Sequence, residues 1–167
     1  MIMVISFSVD LKEALKKIKE NSEKKTIQIE TERNNYDFTV QYGKAKWAIV
    51  DLLNEKYSRR FAEPVDLYNW LKYNSNDEVS YFLNEAGSNT LNYAEQKKPT
   101  AFHLWLGEKG IVIGIEQEGK GFDAVRVDTL RLRENEGAGF DFYRNCRGIV
   151  FFDNVREARI VYFMKMF

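Results

Sequence analysis

Apolar and polar positions alternate over residues 2–7 as in a strand, then switch to a helical period at Leu11, Ala14, Leu15 and Ile18, with Asp10 placed to cap that helix. Its other face is charged. The lysines and glutamates from Lys16 to Lys25 read as the solvated side of this helix, with a binding tail as the alternative. Thr26 to Glu30 and Tyr36 to Gln41 alternate on either side of Asn34-Asn35 and predict two strands around a turn. Helical spacing returns in Ala45 to Glu55 through Trp47, Val50, Leu52 and Leu53, and in Val65 to Tyr73 through Leu67, Trp70 and Leu71 behind Pro64.

The longest periodic run lies between Asp77 and Glu95, where Val79, Phe82, Leu83, Ala86, Thr90 and Ala94 recur at steps of three or four residues. At about 100° per residue, Glu85, Asn89 and Asn92 project within roughly 60° of one another along the edge of that apolar face. Such a stripe either lines a cleft or is the polar flank of an amphipathic helix. Phe102 to Leu106 and Ile111 to Ile115 predict two strands joined as a hairpin by Gly107-Glu108-Lys109-Gly110. The second strand leads into the glycine loop Gln117-Glu118-Gly119-Lys120-Gly121-Phe122-Asp123. A second glycine pair, Gly137-Ala138-Gly139-Phe140, opens a further predicted helix, and two apolar strands, Gly148 to Phe152 and Ala158 to Met166, turn at Asp153-Asn154. Glycines let backbone come close to phosphate groups, and helix N-termini favour anions.

The 167 residues suit one α/β domain, and a hydrophobic fraction of 44% with two prolines supports a packed core. Lysine plus arginine and aspartate plus glutamate both total 25, so no global positive field draws in nucleic acid or an anionic membrane. The apolar start is too short for a secretion signal or a span, which places the chain in the cytoplasm as an expectation. Cys146 and His103 are single and make neither a disulfide nor a zinc site. Trp47, Trp70 and Trp105 sit on apolar faces, as core residues or as stacking platforms for a base. His103 reads as a solvent-facing or hydrogen-bonded strand residue, and Cys146 as a small buried one.

The order helix, hairpin, glycine loop, helix, hairpin, with these motifs, resembles the GHKL superfamily of histidine kinases, gyrase B and MutL, and looks most like its small anti-sigma-factor serine kinases. Glu85-Ala86-Gly87-Ser88-Asn89 resembles the N-box, Gln117 to Phe122 the first glycine box and Gly137-Ala138-Gly139-Phe140 the second. The resemblance covers residues 36–167, with residues 1–35 as an N-terminal extension. It implies a two-layer α/β sandwich of the Bergerat type, a mixed and mostly antiparallel sheet with helices on one face. It also implies ATP and magnesium as ligands. Glu85 would be the base and Asn89 the magnesium ligand, while Gln117, Gly119, Lys120, Gly121, Gly137 and Gly139 would hold the nucleotide.

The chain departs from the family twice. Gln117 replaces the aspartate that accepts from the adenine amino group, and Glu157-Ala158-Arg159 replaces a glycine-threonine pair before the last strand. The segment from Phe122 to Glu136 would be a short ATP lid, whose Arg126, Arg131 and Arg133 either reach phosphates or form a solvated face. No helical hairpin with a phospho-acceptor histidine is encoded, so a phosphoryl acceptor would be another protein. Three functions stay open: an ATPase or protein kinase regulating a partner, a pseudo-enzyme kept as a protein-binding module, and an unrelated α+β interaction protein. Apolar residues in the N-terminal region leave room for a homodimer.

Overall fold

The structure, a computed structural model, describes residues 5–29, 35–61, 63–68, 78–86, 93, 99–134 and 148–167. Helix α1 (Leu11–Ile18) starts where the Asp10 carboxylate accepts from the Glu13 amide at 2.8 Å and ends at Lys19, whose φ is 51°. Eight residues are too few for a stable helix in water, so packing must hold it. Ala14 and Ile18 are fully buried, and the amides of Lys109 and Glu108 donate to the carbonyls of Ile18 and Lys19. Gly107 permits this contact, because a Cβ there would collide with the Ile18 carbonyl.

Strand β1 (Glu20–Gln28) pairs with β2 (Pro99–Gly107), which forms a hairpin with β3 (Gly110–Gln117). The chain closes with β4 (Ile149–Phe152) and β5 (Ile160–Met166). Among the described residues the sheet has five strands in the order β1-β2-β3-β5-β4, with every neighbouring pair antiparallel. A parallel bridge from Ile5 to Val150 adds to the β4 edge.

Both sheet faces are apolar, as a sheet covered on two sides requires. Phe102, Leu104, Ile111, Ile113, Ile115, Val161 and Phe163 share a core with Ile49, Val50, Leu53 and Tyr57 of α2 (Asn35–Tyr57) and with Val79 of α3 (Glu78–Tyr81). Phe82 and Leu83, in the π-helical turn Phe82–Ala86 that continues α3, complete it. Each fully buried phenylalanine, such as Phe82 stacked on Phe163, contributes about 2 to 3 kcal/mol. The α/β class expected from the sequence, with an antiparallel sheet, is therefore present, and α1 covers the face opposite the other helices. Trp105, Val112, Phe151, Tyr162 and Met164 form a second cluster on the opposite face, under Ala14 and Ile18 of α1. Helix α4 (Ala124–Glu134) follows the loop after β3.

Several expected elements differ. Tyr36 to Gln41 belongs to α2 and is not a strand. A run this short satisfies either period, and docking decides it: Tyr42 packs on Phe102 and its hydroxyl donates to the Leu83 carbonyl. The expected charged helix face beyond Lys19 is strand instead, because edge-strand β1 pairs along β2 and its charges suit an edge. The helix expected from Val65 is absent over the described residues 65–68, since the Asn54 side chain donates to the Val65 carbonyl and accepts from its amide, both at 2.8 Å. The rest of that expected helix lies outside the described residues. The Asp77 to Glu95 helix is described over 78–86, where its second half turns π-helical, so uniform 100° spacing does not carry through it.

Candidate functional site

Strand β3 places Gln117 at its end, on the side of the sheet that Ile111, Ile113 and Ile115 share with the helices. Gln117 is 1% exposed, and both Oε1 and Nε2 are buried with no hydrogen-bond partner among the described residues. Buried polar atoms are paired in the great majority of cases, so an entire amide without partners is an exception that asks for a reason. The backbone around it is ordinary: the Gln117 amide donates to the Arg159 carbonyl at 3.1 Å.

The loop that follows is held against residues 155–159. Phe122 and Ala158 exchange backbone hydrogen bonds of 3.1 and 2.8 Å, and the Ala124 amide donates to Val155. The segment Glu157-Ala158-Arg159 is thus brought beside Gln117 to Phe122, two stretches separated by some forty residues of chain. The two glycines of the loop have different causes. Gly119 has a φ of 93°, in the region that disfavours side chains. Gly121 lies where a Cβ would come within 2.6 Å of the Ala158 carbonyl oxygen, so it is a close backbone approach. Lys120, between them, is exposed.

The N-terminus of α4 carries its own carboxylate. Asp123 Oδ1 accepts from the Arg126 amide at 2.9 Å and Oδ2 from the Arg156 guanidinium at 3.0 Å. The amide bond first, and then Arg156, hold the Asp123 carboxyl below its ordinary range. An anionic ligand at this helix end would meet that charge, and the Phe122 and Ala124 amides are already used. The Arg126 side chain is exposed, as a solvated face would have it.

Glu85 has its backbone in the π-helical turn, a distortion frequent at functional sites. The residue before it is firmly positioned: Lys46 donates to Asn84 Oδ1 at 2.9 Å, and Asn84 Nδ2 donates to the Leu67 carbonyl at 2.7 Å. Lys46 also sits 4.5 Å from the Tyr42 ring centroid. Gly87, Asn89, Asn92, Gly137, Gly139 and Cys146 lie outside the described residues, as does Trp70. Trp105 is buried in the second core cluster, and Trp47 is 37% exposed beside Tyr68.

No protein-family model, curated protein or solved structure matches this chain. Among the described residues no group of three or more His, Cys, Asp or Glu could hold a metal, and no helix is long and apolar enough to cross a membrane.

One polar array was not legible in the sequence. His103, 8% exposed, contacts Thr26 Oγ1 through Nδ1 at 3.2 Å and Glu116 Oε2 through Nε2 at 2.5 Å. It is a cross-strand trio on β1, β2 and β3, on the sheet face opposite Gln117. The strand alternation marks His103 as facing away from Phe102 and Leu104, but only the register shows what it meets.

Proposed function

We propose that this chain is an ATP-binding protein of the GHKL type that regulates a protein partner, with Gln117 as the residue that reads the base. The unpaired buried amide of Gln117 carries this reading. An amide offers a donor and an acceptor side by side, which complements the amino group and ring nitrogen on one edge of adenine. Glu157-Ala158-Arg159 lies next to the loop but replaces the family's glycine-threonine pair, so in this reading Gln117 recognises the base without that second contact. The fit is poorer for phosphate at the start of α4, because Asp123 already stands there. Phosphate contacts are assigned instead to Gly137 and Gly139, with Lys120 adding charge.

In this reading Asn89 holds magnesium, which would neutralise phosphate charge during transfer, and Glu85 is the base for a hydroxyl of the partner or for water. A second reading is favoured by Gly121. Its lack of a side chain is accounted for by the close carbonyls of Glu157 and Ala158, with no ligand needed, as expected of a chain that keeps the fold as a protein-binding module without turnover.

Thermal unfolding with and without magnesium-ATP tests the proposal. A ligand at 100 times its dissociation constant adds about 2.7 kcal/mol, roughly 5 to 10 °C for a chain of this size. The rise should vanish in Gln117→Met and lose its magnesium dependence in Asn89→Ala. No rise at millimolar ATP would sink nucleotide binding. A rise without phosphate release, unaffected by Glu85→Ala, would select the module.

A further inference from the structure

A cavity of about 400 Å³ lies where the end of α2 meets the β2–β3 turn, at the opposite end of β3 from Gln117. Its size is within the range of small-molecule sites. The eight residues of β3 put the two places roughly 23 Å apart, so nothing said of one bears on the other.

The floor is rigid and apolar. The Tyr57 hydroxyl donates to the Gly107 carbonyl at 2.7 Å in a buried bond, and the Tyr57 ring packs 4.7 Å from that of Phe167. Leu106 adds aliphatic surface. The rim is cationic, with Lys56, Arg59 and Arg60 against a single carboxylate, Glu108. Lys56 is neutralised by Glu23. Arg59 makes no ion pair or hydrogen bond among the described residues, and Arg60 has its guanidinium 5.7 Å from the Phe167 ring centroid. Stacking uses the face of a guanidinium and leaves its five N–H donors at the edge.

Helix capping does not account for these arginines. The Tyr57 carbonyl that ends α2 already accepts from the amides of Arg60 and Phe61. Nor does a generally basic surface, since the chain is neutral overall. Two guanidinium forks without carboxylate partners among the described residues, a Ser58 hydroxyl and an aromatic floor suit one ligand chemistry: a dianionic oxyanion attached to a small apolar or ring-bearing body.

We propose that this cavity binds a small phosphate monoester, its phosphate on Arg59 and Arg60 and its organic part against Tyr57 and Leu106. Glu108, also on the rim, repels a second negative group and so favours a ligand whose one charged end lies on the arginines and whose organic part lies on the floor.

The test is titration of the full ¹⁵N-labelled chain with phenyl phosphate, followed by two-dimensional NMR, with benzoate as the monoanionic control. Saturable shifts should centre on the amides of residues 57–60 and 106–108, with benzoate binding more weakly. Arg59→Ala, at an exposed residue without partners among the described residues, leaves the fold intact and should weaken phenyl phosphate about tenfold, the loss of one charged hydrogen-bonding group. Arg60→Lys keeps the charge but loses the fork and should weaken it several-fold. Gln117→Met should change nothing here. Shifts spread over all lysines without saturation, equal affinity for benzoate, shifts centred on Gln117, or an unaltered Arg59→Ala variant would each overturn the assignment.

Discussion

Replacing Gln117 by methionine should make the free protein more stable while removing its ability to gain stability from ATP. The side chain is 1% exposed and both of its polar atoms lack partners, so the folded state carries the desolvation of a whole amide, about 1 to 3 kcal/mol. Methionine has the same unbranched length and no polar group to strand, and volume-conserving exchanges of this kind cost less than about 1.5 kcal/mol. The backbone bond from residue 117 to the Arg159 carbonyl is untouched. At mid-range, about 2 kcal/mol of relieved desolvation against about 0.7 kcal/mol of repacking leaves a gain of about 1 kcal/mol, or roughly 2 to 4 °C in Tm for a chain of this length. Calorimetry of both proteins without ligand and with magnesium-ATP measures it. The variant should melt higher alone, and the order should reverse or close with saturating nucleotide. A free variant that melts at or below the parent would show that the amide is satisfied in solution, and Gln117 would no longer be a candidate for base recognition.

Two further changes test the structure at its ends. Gly121→Ala drives a methyl group against the carbonyls of residues 157 and 158 and should destabilise by about 2 kcal/mol, read as a lower denaturant midpoint at unchanged slope. Burial first, and the charge of Glu23 second, push the Tyr57 hydroxyl up to about 12, and burial raises Tyr162 as well. The unfolded chain ionises near pH 10 while the folded one keeps these protons, so stability is intact below that pH and falls as pH rises from about 10 to 12. Tyr57→Phe should lose about 1 kcal/mol at neutral pH through the broken bond to Gly107, yet show a shallower alkaline decline in a pH series of urea melts.

The central hairpin and the two closing strands were legible because their residues are buried on both faces, and fully apolar runs between glycines have few other uses. Asp10 was legible as a cap because capping is local chemistry, whereas residues 122–136 read as a lid and the Asp123 cap of α4 emerged only in the structure. Tyr36 to Gln41 misled because six residues satisfy either period, and Lys19 to Lys25 because charge marks exposure without saying whether helix or edge strand is exposed. At the candidate site, the glycine loop was visible as composition. That Gln117 is buried without a partner was not, because burial depends on β3 lying between β2 and β5 under the helix layer.

Composition and period by themselves determined the α/β class, the apolar strands and the neutral charge, because these follow from which residues avoid water and at what spacing. Only the tertiary structure decided the rest. It set Gly121 against the Ala158 carbonyl and the His103 trio across three strands. It also brought the arginines after α2 to the rim of a cavity floored by a distant hairpin. Each of these joins residues far apart in the chain, and a local pattern carries no information about which distant groups will share the same space.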